Sequence, residues 1–308
     1  MKTQLRLFAG LLLSMVLLAG CASTTNVPDL SLNPSGPTAF RVGTEIVTVA
    51  AVQERLERDI GPAVADLLAQ GQTPEQIEQL ANESNIRGTV FDRMVQDALL
   101  LQYARRHGIG VDATAIDQSA LAQVPLDAEA PFISQTEDRI AIARNQLAFE
   151  VIARNTRADM FNARHILVRD EATADQVLAE LAAGRSFAEL AEAYSQDAGS
   201  IENGGDLGWT ARGDFVPEFE NAAFSIELNT PTKVTTQFGV HVIEVLDRAE
   251  NRAFDTFEQL QRSQNAQVFF EESFVLWYEQ LLAEAQASGE LQVSPGFDPN
   301  TVPLPIPE

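Results

Sequence analysis

The apolar residues of this chain change their spacing twice, and this change limits the folds that the chain can adopt. Over residues 86–101 they recur every three or four positions, which is the spacing of one face of an α-helix. Residues 163–169 (ARHILVR) and 240–246 (VHVIEVL) instead alternate between faces, which is typical of β-strands. Helical spacing returns over residues 254–287. The sequence therefore predicts an α+β module between two helical segments.

Strand alternation also assigns side chains to the faces of the predicted sheet. In the first strand His165 and Ile166 point to opposite faces, and in the second His241 and Ile243 share a face. Two helices are predicted between these strands, the second capped by SFAE at residues 186–189. The module would therefore be a small sheet flanked by helices over residues 162–248.

The beginning of the chain resembles a bacterial lipoprotein signal. Lys2 and Arg6 precede an apolar run at residues 7–20, which is too short to span a membrane comfortably as a helix. The run ends at Cys21 in LLAGCAS, a sequence similar to a lipobox. This resemblance implies that residues 1–20 are removed. Lipid on Cys21 would then hold the protein at the outer face of a cell membrane or at an outer membrane.

The remaining segments differ in composition from the module. Proline-containing polar residues predict a flexible tether over residues 21–44, and five prolines predict an irregular tail over residues 289–308. Helical spacing predicts an all-α domain over residues 45–161. Residues 249–288 predict a closing helical segment that could pack back on this domain. The α+β module would then be inserted in the helical domain, or would follow it.

The formal net charge is −23, which argues against nucleic acid as a partner because phosphates would repel the chain. The same charge argues against attachment to an anionic membrane by basic patches. A phosphate-binding glycine loop of the Walker type is absent from the sequence, so ATP is not implied. The sequence therefore predicts no nucleic-acid partner and no cofactor.

An acidic, glycine-rich stretch at residues 202–219 (ENGGDLGWTARGDFVPEF) invites comparison with a calcium loop. An EF-hand loop that began at Asp197 would place Ile201 at its fifth position, and one that began at Asp206 would place Pro217 at its twelfth. Neither residue can supply the required carboxylate. The three histidines show no recognisable zinc spacing. We therefore predict no metal site, and interpret the glycines and Asp206 as turn-forming residues.

Five segments together resemble a parvulin-type peptidyl-prolyl isomerase domain, in order and in spacing. They are ARHILV (163–168), FAELAEAYSQD (187–197), GGDLGW (204–209), FVPEFENAAF (215–224) and TQFGVHVIEV (236–245). The wider layout, a lipoprotein signal, a helical segment, this domain and a closing helix, resembles the PrsA-like and SurA-like extracytoplasmic foldases. The resemblance implies a folding factor for exported polypeptides that contain X–Pro bonds.

The chemistry of such an enzyme needs neither a nucleophile nor a metal. The barrier to rotation about an X–Pro bond comes from amide resonance, and the uncatalysed reaction takes tens to hundreds of seconds. A catalyst must hold the proline ring and bind the twisted amide better than the planar one. An apolar pocket with a few polar groups around the amide meets this need.

The resemblance assigns roles to particular residues. It implies a polar network of His165, Asp197, Thr236 and His241, and a substrate pocket of Leu207, Phe215, Phe219 and Phe238. Phe215 stands where many relatives carry Met. The residues alone leave alternatives open: ordinary core packing for the apolar side chains and the histidines, and a solvated loop carboxylate for Asp197.

Two functions from different classes follow. The first is a membrane-tethered isomerase, and the second is a non-catalytic holdase whose helical domain binds clients while the parvulin domain only docks peptides. Phosphate-directed relatives carry a basic cluster after the first strand, whereas residues 169–173 (RDEAT) hold only Arg169. This argues against specificity for phosphorylated substrates.

Overall fold

The computed structural model describes residues 36–110 and 132–307, with side chains from residue 143 onward in the second range. The export signal, Cys21 and the first part of the predicted tether lie outside the described residues. Among the described helices, none combines the length and the apolar character that a membrane span requires.

The described residues form seven strands and eleven α-helices. The strands are β1 (Thr38–Val42), β2 (Glu45–Thr48), β3 (Arg157–Val168), β4 (Asp206–Ala211), β5 (Thr232–Thr236), β6 (Gly239–Ala253) and β7 (Leu291–Val293). The helices are α1 (Val49–Ala69), α2 (Pro74–Glu83), α3 (Ile86–Arg106), α4 (Phe132–Asn155), α5 (Glu171–Ala182), α6 (Phe187–Tyr194), α7 (Ala198–Ile201), α8 (Pro217–Ala223), α9 (Phe257–Arg262), α10 (Ala266–Phe269) and α11 (Val275–Ala287). A π-helical stretch covers Phe270–Phe274, and a 3-10 turn covers Pro299–Thr301.

The chain divides into two compact units, and the first of them is discontinuous in sequence. It comprises residues up to Ile152 together with residues 275–308, whereas the second comprises Ala153–Phe274. The second unit is therefore inserted in the sequence of the first, one of the two arrangements that the sequence predicts. Of the predicted closing segment at residues 249–288, only the part from Val275 onward belongs to the first unit.

The second unit is built on a four-stranded antiparallel sheet in the order β4-β3-β6-β5. Helices α5 and α6 cover one face, where Ile166 and Val242 pack against Val177 and Leu190. Helix α8 covers the other face. This is the predicted small sheet flanked by helices. The capping box predicted at Ser186 is also confirmed, and it begins α6.

The first unit is helical, as predicted, but it also contains a three-stranded antiparallel sheet in the order β2-β1-β7. The description of this domain as all-α was incomplete. The tether assigned to residues 21–44 and the irregular tail assigned to residues 289–308 each contain one strand of this sheet. Strands of three to five residues are too short to show alternation, and β1 and β7 pair across most of the chain length.

Candidate active site

The register between β3 and β6 brings the two predicted histidines together. His165 pairs with Ile243, and Leu167 pairs with His241, so the histidines are diagonal neighbours on one face of the sheet. Their imidazole rings are nearly parallel, with centroids 5.4 Å apart. Both side chains are buried. Sequence alternation placed each histidine on its face, and strand pairing placed them beside each other.

A chain of hydrogen bonds links the four predicted polar residues. His165 Nε2 lies 2.7 Å from Asp197 Oδ2, and His165 Nδ1 lies 3.1 Å from His241 Nδ1. On the far side, His241 Nε2 lies 2.9 Å from Thr236 Oγ1. The Phe238 amide donates to the same Thr236 oxygen at 3.1 Å. The structure therefore brings Asp197, His165, His241 and Thr236 into one continuous network.

The charge of each group fixes the direction of these hydrogen bonds. Burial lowers the pKa of His165, although Asp197 opposes this effect, and burial together with His165 lowers the pKa of His241 to about 4. Both imidazoles are therefore neutral near pH 7, and each carries one proton. Burial alone would raise the pKa of Asp197, but hydrogen bonds from Ser200, His165 and the Gly199 amide outweigh it and lower that pKa.

An ionised Asp197 can only accept, so His165 donates from Nε2 and its Nδ1 must accept. His241 then donates from Nδ1 and accepts at Nε2, which receives the hydroxyl proton of Thr236. All donors in the network thus point toward Asp197. The contact between His165 and Asp197 is a hydrogen bond from a neutral ring rather than an ion pair.

This network predicts a loss of stability in mild acid. An unfolded histidine has a pKa near 6.5, whereas the pKa of folded His241 is about 4, so between these values the unfolded state binds more protons. The free energy of unfolding should therefore be at its full value above pH 6.5 and should fall as the pH drops to 4. Protonation of His241 should lower the free energy of unfolding by roughly 3 kcal/mol, because its pKa differs between the two states and each pKa unit corresponds to about 1.4 kcal/mol.

Urea unfolding at several pH values measures this slope, and His241→Gln should make it shallower. The matched control is Phe238→Ala, which alters a neighbouring side chain but keeps both histidines and should retain the wild-type slope. Equal slopes for His241→Gln and the wild-type protein would contradict the assignment.

The predicted apolar residues separate into three kinds of environment. Leu207 and Phe215 are half-buried and pack against the cluster beneath α8. Phe219 has no exposed surface, and its ring stacks on that of Phe215 with centroids 4.6 Å apart. It also makes edge-to-face contacts with the imidazoles of His165 and His241, at centroid distances of 5.7 and 5.3 Å. Phe238 is 64% exposed, at the turn between β5 and β6. Phe219 therefore supports the site from beneath, while Leu207 and Phe215 offer the apolar surface.

Glycines just before and at the start of β4 hold the backbone in conformations that other residues rarely adopt. Gly204, Gly205 and Gly208 all have positive φ angles, and the Gly208 amide donates to Asp206 Oδ1 at 2.8 Å. These contacts agree with the interpretation of Asp206 as a turn residue. The Gly205 carbonyl accepts from the His165 amide at 2.8 Å, so the loop also positions β3.

Two buried residues of the site escaped the sequence analysis. Ser200 Oγ lies 3.1 Å from His165 Nε2, and its hydroxyl also bonds Asp197. Glu220 accepts from the backbone amides of Gly213 and Phe215 at 2.5 and 3.1 Å, which fixes the segment that carries Phe215. An acidic residue in the first turn of α8 was the available signal for Glu220. Ser200 offered none, because only the fold brings it to the histidine.

Comparison with known families agrees with this geometry. Residues 148–249 match the family described as the PPIC-type PPIASE domain, so the second unit belongs to the parvulin class of domains. Residues 1–164, more than half of the chain, match the SurA-like N-terminal domain. The chain therefore belongs to the family defined by the SurA-like N-terminal domain, and it combines this domain with a PPIC-type domain.

Two curated relatives illustrate the range of similarity. Foldase protein PrsA 1 of Bacillus cereus is 52% identical over 96 residues, which cover 30% of this chain and 33% of that protein. Foldase protein PrsA of Caldanaerobacter subterraneus is 28% identical over 263 residues, which cover 79% of this chain and 82% of that protein. The alignments with the first relatives span about a third of their length.

Among solved structures, the parvulin NmPin of Nitrosopumilus maritimus is 31% identical to the matched part. The alignment covers 29% of this chain and 98% of NmPin, with a TM-score of 0.28.

Proposed function

We propose that this protein is a peptidyl-prolyl cis-trans isomerase that assists the folding of exported polypeptides. The observation that carries the proposal is the network of neutral histidines ending at Asp197, beside the half-buried apolar side chains Leu207 and Phe215. The match to the PPIC-type domain supports it. No cofactor enters the proposed reaction, because no bond other than the rotating one changes.

The physical properties of this site suit rotation about an amide bond. A planar amide is strongly dipolar because of resonance, and the dipole diminishes as the C–N bond twists. An apolar surface at Leu207 and Phe215 would therefore favour the twisted form, which is the condition for catalysis. Neutral imidazoles also suit this task, since an imidazolium that bonded the substrate carbonyl would stabilise the planar form. Burial keeps both rings in that neutral state.

The direct test is exchange NMR on a proline tetrapeptide with the full chain. We expect faster cis/trans exchange than in buffer, and a loss of at least ten-fold for Phe215→Ala, because that change removes exposed apolar surface from the site. Leu228→Ala, which alters an exposed side chain of the same unit, is the matched control and should keep the wild-type rate. Exchange no faster than in buffer alone would refute the proposal.

A holdase activity of the first unit is the second candidate. It is supported by the match of residues 1–164 to the SurA-like N-terminal domain. Suppression of aggregation should then survive in the full-length Phe215→Ala variant. If that variant protects no client from aggregation, the holdase candidate is excluded.

We also propose that the protein is extracytoplasmic and is anchored to a bacterial membrane by lipid on Cys21. The LLAGCAS motif supports this placement. We expect metabolic labelling with a fatty acid in the wild-type protein, and none in Cys21→Ser. Equal labelling of both proteins would contradict the assignment.

A further inference from the structure

The C-terminal segment lies against three helices of the first unit, α1, α2 and α3, in an irregular form. It includes a tight turn at Pro305, where the Ile306 amide donates to the Leu304 carbonyl at 2.8 Å. Leu304 is 9% exposed and packs with Val64 of α1 and Ile77 of α2. Ile306 is half-buried in the same cluster, to which Ile60, Leu67 and Ile86 also contribute. We call the side chains of Ile60, Val64, Leu67, Ile77 and Ile86 the tail surface.

Attachment of this segment depends on side chains and one main-chain carbonyl rather than on strand pairing. Arg87 Nε donates to the Val302 carbonyl at 2.7 Å, although the arginine side chain is only 4% exposed. Glu78 and Asn82 hold the rest of the guanidinium at 2.8 to 3.0 Å. The Val302 amide donates to the Pro299 carbonyl and the Ile306 amide donates to the Leu304 carbonyl, so both bonds are local and neither pairs the segment with a strand.

The pattern of contacts is that of a bound proline-rich peptide. Val302, Leu304 and Ile306 are the apolar residues, and each is followed by a proline, which has no amide hydrogen to donate. Proline-rich segments bind apolar grooves at low cost in conformational entropy, because proline restricts the free chain as well. Arg87 bonds a main-chain carbonyl, which any peptide provides. Nothing in these contacts restricts the surface to the sequence of this tail.

We propose that the tail surface is a second polypeptide-binding site, for client segments in which apolar residues alternate with prolines. The chain's own C-terminal segment occupies this site as an intramolecular competitor. Such segments carry the X–Pro bonds on which an isomerase acts, so the identity of the client rests on the function proposed above. The surface itself rests only on the contacts of Leu304, Ile306 and Arg87.

Competition by the tail determines how the experiment must be designed. A tethered segment has an effective concentration of about millimolar, so a free peptide binds the wild-type protein only weakly. Substitution of the two apolar anchors, Leu304→Ser with Ile306→Ser, weakens the competitor and leaves the tail surface intact. The single variant Ile306→Ser alters a half-buried side chain and is the milder form of the same test.

Fluorescence anisotropy with labelled peptides measures the outcome on full-length proteins. The probes are the tail sequence TVPLPIPE, an unrelated apolar–proline peptide SIPVPLPS, and the polar peptide TSPSPSPE. We expect the double variant to bind both apolar peptides at least ten-fold more tightly than the wild-type protein, with a smaller gain for Ile306→Ser. The polar peptide should bind to neither. Leu228→Ser, in the other unit, is the control and should behave as the wild-type protein.

Three results would overturn the proposal. The first is a double variant that unfolds cooperatively and gains no binding. The second is binding of the tail peptide but not of SIPVPLPS, which would make the surface specific for this tail. The third is failure of Ile306→Ser to fold, which would make the segment an integral part of the core. The exchange NMR assay on the same samples separates these results from a failure of the proposed isomerase function.

Discussion

Phe219→Ala should lower the free energy of unfolding by about 3–5 kcal/mol, the usual cost of removing a fully buried phenylalanine side chain. Phe219 has no exposed surface, and it contacts Phe215 and both histidines of the network. The substitution would leave a cavity where the phenyl ring packs, and Phe215, His165 and His241 would lose this contact. Isomerase activity should therefore fall at least ten-fold even where the variant remains folded. Urea unfolding and exchange NMR measure the two effects.

Phe238→Ala is the matched control for this prediction. Its ring is 64% exposed, so the free energy of unfolding should change by no more than about 0.5 kcal/mol. If Phe238 also contacts substrate, as the resemblance implies, kcat/KM should fall without a change in stability. A stability loss for Phe219→Ala no larger than that for Phe238→Ala would contradict the packing described for α8.

Gly205→Ala should be the most disruptive single-methyl substitution in the loop before β4. An added Cβ would lie 2.5 Å from the His165 carbonyl oxygen and 3.2 Å from Phe187 Cε1, at a residue whose φ is +84°. The unfavourable φ costs about 1–2 kcal/mol, and displacing packed neighbours costs about 1–3 kcal/mol more. Because the Gly205 carbonyl accepts from the His165 amide, the shift should also disturb the histidine network.

Gly208→Ala separates the steric effect from the backbone effect. Gly208 also has a positive φ, +62°, but its added Cβ would meet no atom within 4 Å. Gly208→Ala should therefore lower the free energy of unfolding only by the cost of the unfavourable φ, about 1–2 kcal/mol. Thermal and urea unfolding of both variants give the comparison, with histidine ring NMR signals reporting on the network. Equal stability losses would show that the close approach at Gly205 does not matter.

Much of the second unit could be predicted from local patterns. Alternation at residues 163–169 and 240–246 placed His165 and His241 on their correct faces, because the two-residue period of a strand is a local property. The capping box at Ser186 located the start of α6 for the same reason. The predicted apolar residues also lie near the histidines, although burial distinguishes Phe219 from Leu207 and Phe215.

The parts that escaped prediction depend on residues far apart in the chain. Strand β7 and the buried Leu304 lie in a segment whose prolines predicted an irregular tail, because proline content describes local flexibility and not the surface that a segment meets. Ser200 reaches His165 only through the loop between α6 and β4. Neither the packing of the tail nor the Ser200–His165 contact follows from a periodic pattern in the sequence.

By itself, the sequence determined the main elements of the second unit, the faces of its two long strands and the family, since periodicity, capping and motif spacing are properties of neighbouring residues. Tertiary structure decided which groups meet: the register that sets His241 beside His165, the burial that keeps both rings neutral, and the position of Leu304 against α1 and α2. Charge state and contact depend on the surroundings of a side chain, and those surroundings exist only once distant segments have packed together.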